Sequence, residues 1–268
     1  MDLQLADKRA LVTGSTSGIG AEIARMLAME GARVIIHGRN QARAEQIVAD
    51  IEAKSGQVAA ALGDLRTAEG AEAVIRMAEQ AFGGVDILIN NAGASDATSY
   101  SSWFDMPAEE WAESYHQNTL PAVRLARALV PAMRERRWGR VINISSRNAI
   151  SPYPQFAAYG AAKAALNNVT LSLSKALAGT GVTVNGIMPG LIYTPLVDPW
   201  FEDLAKQQGS DDPKVGEDFA IKNVIRQTVD RLGQPKDIAA AVCFLASPLS
   251  DFITGTTVRI DGGATPTV

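Results

Sequence analysis

The sequence predicts an α/β fold, a doubly wound parallel sheet of about seven strands with helices on both faces. Short runs rich in β-branched residues alternate with longer helical patterns from one end of the chain to the other. The short runs are apolar without alternation, as strands buried on both faces must be. No linker or internal repeat divides the chain, so residues 1–268 are read as one domain.

The strand candidates are 9–13, 33–37, 58–62, 85–90, 140–144, 182–188 and 257–261. Helical patterns fall near 18–30, 41–55, 67–82, 107–137, 157–178 and 235–247. Strand-then-helix order calls for right-handed crossovers. Within 107–137, Pro121 has no N–H for the carbonyl of Gln117, so a kink is expected beside Asn118. The stretch around 195–230 is rich in charge and poor in strand signals; it is read as a helical or mobile insertion carrying a substrate loop.

Composition narrows the function classes. Hydrophobic residues make up 47% and charged residues 20% of 268, which suits a globular protein with a sizeable core. The net charge is −4, and the densest positive stretch, "RERRWGR" (Arg134 to Arg140), ends a helical pattern. It fits a helix C-terminus better than a nucleic-acid surface, so no nucleic-acid partner is expected. Cys243 is the single cysteine and lies in an apolar run, so a buried thiol is expected. His37 and His116 are far apart, and no metal site is expected. No apolar run reaches the ~20 residues of a membrane span, and the N-terminus lacks a signal-peptide pattern. A cytoplasmic protein with no membrane partner is the expectation.

The first strand runs straight into "TGSTSGIG", which opens a helix. Glycines at 14, 18 and 20 let backbone N–H groups approach a phosphate, and the helix N-terminus behind them favours negative charge. The spacing is G-x-x-x-G-x-G, and a tight turn without a ligand is the plainer alternative. After the second strand, "VIIHGRN" places Gly38 and Arg39 where NAD enzymes often carry an acid. Arg39 offers a guanidinium fork for a 2′-phosphate. It is equally a residue type found solvated at a helix start. Further on, Tyr159 and Lys163 stand one helical turn apart in "FAAYGAAK". An ammonium beside a phenol lowers its pKa from the usual ~10 towards proton exchange at neutral pH.

Taken together and in order, these residues resemble the short-chain dehydrogenase/reductase family over nearly the whole chain. The resemblance rests on "TGSTSGIG", "NNAG" (90–93), "PGLIYT" (189–194) and "IDGG" (260–263), and on Asn118, Ser146, Tyr159 and Lys163 at the spacing of the family's catalytic tetrad. It implies a seven-stranded Rossmann-type sheet, commonly in a homotetramer, and 3-oxoacyl-carrier-protein reductases are a plausible subgroup. It implies Tyr159 as general acid/base, Ser146 on the substrate oxygen, Lys163 also on the nicotinamide ribose, and Asn118 holding a water. It implies cofactor contacts from Gly14, Ser15, Thr16, Ser17, Gly18, Ile19, Gly20, Arg39, Asp64, Leu65, Asn91, Ala92, Gly93, Pro189, Gly190, Ile192 and Thr194. Asp64 is equally readable as an N-terminal helix cap. Ser145, preceding Ser146, is expected to point to the opposite face of its strand.

The expected activity is interconversion of a ketone or aldehyde and an alcohol by hydride transfer, with NADP(H) preferred and NAD(H) possible. The alternatives are an NAD(H)-dependent dehydrogenase of the same family and a non-catalytic nucleotide sensor; the intact tetrad argues against the sensor. The pocket candidates are Ser95, Arg147, Asn148, Ile150, Tyr153, Met188, Tyr193, Trp200 and Phe201. The 195–230 segment is expected either to close as a lid or to form a static flap.

Overall fold

The computed structural model describes residues 1–94 and 102–266. Among these residues seven parallel strands form one sheet: β1 (Arg9–Val12), β2 (Arg33–Gly38), β3 (Gln57–Leu62), β4 (Ile87–Asn90), β5 (Gly139–Ile144), β6 (Val182–Pro189) and β7 (Thr257–Ile260). Their spatial order is β3-β2-β1-β4-β5-β6-β7. Every expected strand run is present, with ends shifted by no more than two residues. β5 and β6 are buried along their whole length, polar Arg140, Asn143, Thr183 and Asn185 included.

One face of the sheet carries α1 (Gly18–Met29), α2 (Gln41–Glu52) and α9 (Pro235–Ala246). Its core joins Ile23, Leu27, Ile36, Ile47, Ile89 and Val242. The other face carries α3 (Ala68–Phe82), α5 (Leu120–Glu135) and the end of α6 (Ala157–Ala176), around Leu11, Val74, Leu88, Leu125 and Met133. Local signals set the helix ends. Asn40 and Thr67 side chains accept N–H groups at the starts of α2 and α3. Gly83, at φ 75°, supplies the left-handed residue that stops α3.

The expected helix over 107–137 is broken in two. α4 (Ala108–Asn118) stops, Thr119 takes φ −121° and ψ −51°, and α5 begins with Pro121 in its first turn. The proline thus sits where its missing N–H costs least. The stretch after β6 is helical: α7 (Asp198–Gln207), α8 (Pro213–Phe219) and a wide π-type turn, Ala220–Ile225. It has a small core of its own, Phe201, Leu204, Ala220, Ile221 and Leu232.

The arginine cluster at the end of α5 is dispersed. Arg134 lies in the last turn of α5, Arg136 donates to the Val85 carbonyl, and Arg140 is buried, with its guanidinium near the Trp138 ring. Cys243 is buried in α9 as expected, and burial pushes its thiol up to about 12.

The strand order reverses between β1 and β4, because the chain runs outward to β3 and returns beside β1. In such sheets a crevice opens at the carboxyl ends of the two strands flanking the reversal. Register places Val12 beside Ile36 on one side and Ile89 on the other, so the loops after β1, β2 and β4 emerge together.

Candidate active site

The loop after β1 is the first wall of that crevice. Gly14 and Gly18 adopt φ 63° and φ 53°, a left-handed conformation that a Cβ disfavours. A Cβ on Gly20 would lie 2.3 Å from the Gly14 carbonyl oxygen, so the first turn of α1 closes onto the loop only without one. The N–H groups of residues 16–20 make no hydrogen bond to any described residue, while Ala21 donates to Ser17 in the first helical bond. Orphan donors at a helix start, on a loop with no bulk, fit a phosphate.

Not every residue of the turn offers a donor. The Ser15 hydroxyl donates to the Val12 carbonyl at 2.7 Å and accepts from the His37 N–H at 2.9 Å. Its own N–H donates to the His37 carbonyl. Ser15 therefore shapes the turn, with its hydroxyl and its N–H already engaged. Thr16 and Ser17 line the cleft, while Ile19 packs against the core below.

The cleft has a volume of about 270 Å³ and is bordered by the turn, by Gly38, Arg39 and Arg43, by Asp64 and Leu65, and by Asn91, Ala92 and Gly93. Arg39 is exposed and has no ion pair among the described residues. Asp64 is not a helix cap, since Thr67 caps α3. Instead the Arg66 guanidinium, 2.6 Å away, holds its carboxyl down to about 2. Thr13 ties the walls together: its hydroxyl oxygen accepts the N–H groups of Asn91 and Ala92, both at 2.9 Å. The Asn91 amide donates back to the carbonyls of Thr13 and Gly14.

Beyond Gly93 lie the four residues of the tetrad pattern. A Cβ on Gly93 would sit 2.5 Å from Asn118 Oδ1 and 3.1 Å from Lys163 Nζ, so one glycine touches both. Asn118 is clamped by its own amide, which donates to the carbonyls of Ala94 and Ser114 and accepts the Ala94 N–H. Lys163 is buried; its ammonium donates to the Ile144 carbonyl at 2.9 Å and lies 5.7 Å from the centre of the Tyr159 ring. Burial lowers Lys163 to about 8. Burial raises the Tyr159 pKa, and the neighbouring Ser146 hydroxyl acts against that rise. The expected lowering of the phenol by Lys163 is not the dominant effect here: the ammonium is spent on a backbone carbonyl, and desolvation wins. Ser145 points away, as strand alternation requires, and donates to the Lys163 carbonyl at 3.1 Å. That bond pins α6 to the end of β5.

The loop after β6 closes the other side. Thr194 Cγ2 comes within 3.7 Å of the position a Gly18 Cβ would take. Pro189 pairs with Ile260, Gly190 abuts Asp261, and Ile192 is buried against Gly233, so "IDGG" braces this loop from behind.

Residues 8–205 match the profile of the short chain dehydrogenases. The chain belongs to this family. It is 39% identical over 265 residues to the uncharacterized oxidoreductase YvaG of Bacillus subtilis, covering 98% of each chain. Among solved structures it resembles the L-sorbose reductase of Gluconobacter frateurii complexed with NADPH and L-sorbose, with a TM-score of 0.93, 33% identity and 100% of each chain covered. It also resembles a 3-oxoacyl (acyl-carrier-protein) reductase of Agrobacterium tumefaciens with NADP bound, with a TM-score of 0.85 and 33% identity over 98% and 96% of the two chains.

Against that family background, the pocket candidates divide. Ser95 lies outside the described residues. Arg147 is buried, with its guanidinium over the Tyr153 ring and donating to the Tyr153 hydroxyl. Ile150 and Tyr193 are exposed, and Asn148 donates its N–H to the Ser146 hydroxyl. Met188 is buried in β6. Phe201 is buried in the core of the insertion with Trp200 packed against it, so Phe201 is a core residue there rather than a pocket wall. The amphipathic register of α7 turns it inward. Thr13, which ties the walls together, and the cleft residues His37, Arg43 and Arg66 are among those the sequence reading did not assign to the site. Thr13 carried a signal, a hydroxyl at the strand end before the glycine turn. The other three become neighbours only through the pairing of β2 with β1 and β3.

Proposed function

We propose that this member of the short-chain dehydrogenase family interconverts a ketone or aldehyde and an alcohol, with NADP(H) as the preferred coenzyme. The observation that carries the reading is Tyr159 set beside Ser146 and buried Lys163, at the end of a cleft whose glycine turn has orphan N–H donors. The orphan donors of residues 16–20 would hold the coenzyme's phosphates, and Asp64, Leu65 and Asn91 to Gly93 its adenosine half. Ile192 and Thr194 would meet its nicotinamide half. A bound nicotinamide coenzyme supplies or accepts the hydride.

The chain's own groups handle the proton. Tyr159 holds a proton at Oη, raised in pKa by burial, and gives it to the substrate oxygen during reduction. Ser146 donates to the same oxygen and steadies developing negative charge. Lys163, lowered towards neutral pH, is suited to return the proton to Tyr159. Asn118 and the break before Pro121 would place the water that links Lys163 to solvent.

Arg39, just after β2, and Arg43, in the first turn of α2, are both exposed and support NADP(H), because neither is neutralised by a carboxylate among the described residues. The NADPH and NADP complexes of the two solved relatives point the same way. We take the substrate to be a medium-sized carbonyl compound; the sorbose reductase's L-sorbose is one such ketose. The exposed Phe244 on α9, and Leu249 and Phe252 in the turn that leads from α9 to β7, support self-association into a homotetramer. The insertion serves as a lid in this reading, and it is tied to the loop after β5 where Tyr153 Oη donates to the Val224 carbonyl at 3.5 Å.

The test combines coenzyme titration, followed by nicotinamide fluorescence, with turnover of a panel of ketones and aldehydes. Arg39→Ala is expected to weaken NADPH selectively. Tyr159→Phe is expected to lower kcat by about 10²–10⁴-fold with coenzyme affinity kept. Wild-type turnover by Tyr159→Phe would overturn the assignment.

A further inference from the structure

His37 is the penultimate residue of β2, beneath the glycine turn, and the family signature does not use it. Its ring is fully engaged. The Gly14 N–H donates to Nδ1 at 3.0 Å, and Nε2 faces the Gly63 carbonyl at 3.1 Å. An N–H can only donate and a carbonyl can only accept. These partners therefore dictate one form, a neutral imidazole with its proton on Nε2. The backbone of His37 makes two more bonds to the same turn: its N–H to the Ser15 hydroxyl and its carbonyl from the Ser15 N–H, both at 2.9 Å. One residue thereby joins the loops after β1 and β3 on either side of β2.

We propose that His37 is the positioning residue of the nucleotide cleft and makes coenzyme binding proton-linked, the glycine turn being competent only while Nδ1 is bare. This rests on the coenzyme reading above. A second proton on the ring would set an N–H against the Gly14 N–H. Gly14 sits at φ 63° at the head of the phosphate turn, so losing this bond releases the first residue of the cradle. His37 is buried, with 4% of its surface exposed, so no solvent stands ready to replace the lost partner.

The charged groups facing the ring are few. Asp64, following Gly63, favours the imidazolium, and Arg39, two residues along the chain, disfavours it. Arg43 and Arg66 border the same cleft, and Arg66 pairs with Asp64. The flanking β1 loop contributes Thr13, Gly14 and Ser15, none of them charged. Burial is the largest influence and lowers the ring's pKa. The sign of the linkage follows. Coenzyme binds the neutral-ring form, so affinity is constant above the ring's pKa and falls as pH drops through it. Reciprocally, bound coenzyme lowers that pKa further.

The chain has two histidines, so ring NMR resolves His37 once His116→Gln assigns the other signal. The experiment measures NADH and NADPH affinity of the full chain from pH 5 to 8, with the ring titrated with and without NADH. NADH matters because it lacks the 2′-phosphate, whose own pKa of about 6 would overlay the profile. In the wild type, affinity should fall towards tenfold per pH unit below the ring's pKa, and NADH should lower that pKa. His37→Asn offers an amide oxygen near Nδ1 and cannot titrate, so its NADH profile should be flat. His37→Gln reaches towards Gly63 but leaves Gly14 without an acceptor, so it should bind more weakly at every pH. Superimposable profiles for wild type and His37→Asn overturn the inference alone. So does a ring pKa that NADH leaves unchanged, which the wild type reports even if a variant fails to fold. Failure of both coenzymes to bind at pH 8 overturns the functional reading and this inference together.

Discussion

Gly20 and Gly216 meet the same steric demand in two differently built regions. A Cβ on Gly20 would lie 2.3 Å from the Gly14 carbonyl oxygen, and one on Gly216 would lie 1.9 Å from the Phe201 carbonyl oxygen. In each case the obstacle is backbone, which cannot swing aside. The surroundings differ. Gly20 opens α1, whose buried face belongs to the core shared by β1, β2, β4 and α9. Gly216 joins α8 to α7 in an insertion with a separate and much smaller core. The glycine turn is therefore held by the whole sheet, whereas the insertion is held mainly by itself. Regions that bury little apolar surface open at lower free energy, which suits the lid role proposed for the insertion.

The sharpest way to break this contrast is Gly20→Ala. It should cost about 1–3 kcal/mol of global stability and raise the coenzyme Kd at least about tenfold. Thermal melting and nicotinamide fluorescence read the two effects. Unchanged coenzyme affinity would show that the turn is not the phosphate cradle. Gly216→Ala should lose a similar local energy of about 1–3 kcal/mol but spend it inside the insertion. Limited proteolysis should then cut within 195–230, KM for substrate should rise, and coenzyme affinity should stay at the wild-type value. Global unfolding of this variant at the wild-type proteolysis rate would mean that the insertion is no separate unit.

The smallest effect comes from Cys243, in the core behind α1. Burial raises its thiol from 9.0 to about 12, so the fold favours the neutral form. Its contribution is present in full below pH 9 and is lost as pH rises towards 12, because the unfolded chain ionises first. Cys243→Ala should cost about 1 kcal/mol at pH 7, and the gap to wild type should shrink in urea melts at pH 10.5. A gap that widens with pH would place the thiolate, not the thiol, in the fold.

Much of this was legible in the sequence for simple physical reasons. β5 and β6 are buried on both faces, and their Val and Ile residues marked them as strands even though Asn143, Thr183 and Asn185 are buried among them. Asn118, Ser146, Tyr159 and Lys163 were found because motif spacing survives in one dimension. Pro121 announced a disturbance, although it proved to be a full break at Thr119. Phe201 misled because an aromatic in a polar stretch looks like a pocket wall until its helix has a partner. Arg140 misled in the same way: it reads as part of a surface cluster and is buried.

The sequence by itself determined the α/β class, the seven strand positions, the glycine turn and the tetrad pattern, because each is set by local sterics or by the period of burial. Only the tertiary structure decided the protonation chemistry. Whether Tyr159 is raised or lowered depends on desolvation and on Lys163 donating to Ile144. Whether Asp64 caps a helix was decided by Thr67, which caps α3 and leaves Asp64 to pair with Arg66. Whether His37 is idle depends on β2 lying between β1 and β3, which brings Gly14 and Gly63 to its two ring nitrogens. Charge and hydrogen-bond balance are sums over neighbours in space, and those neighbours exist only after the sheet has formed.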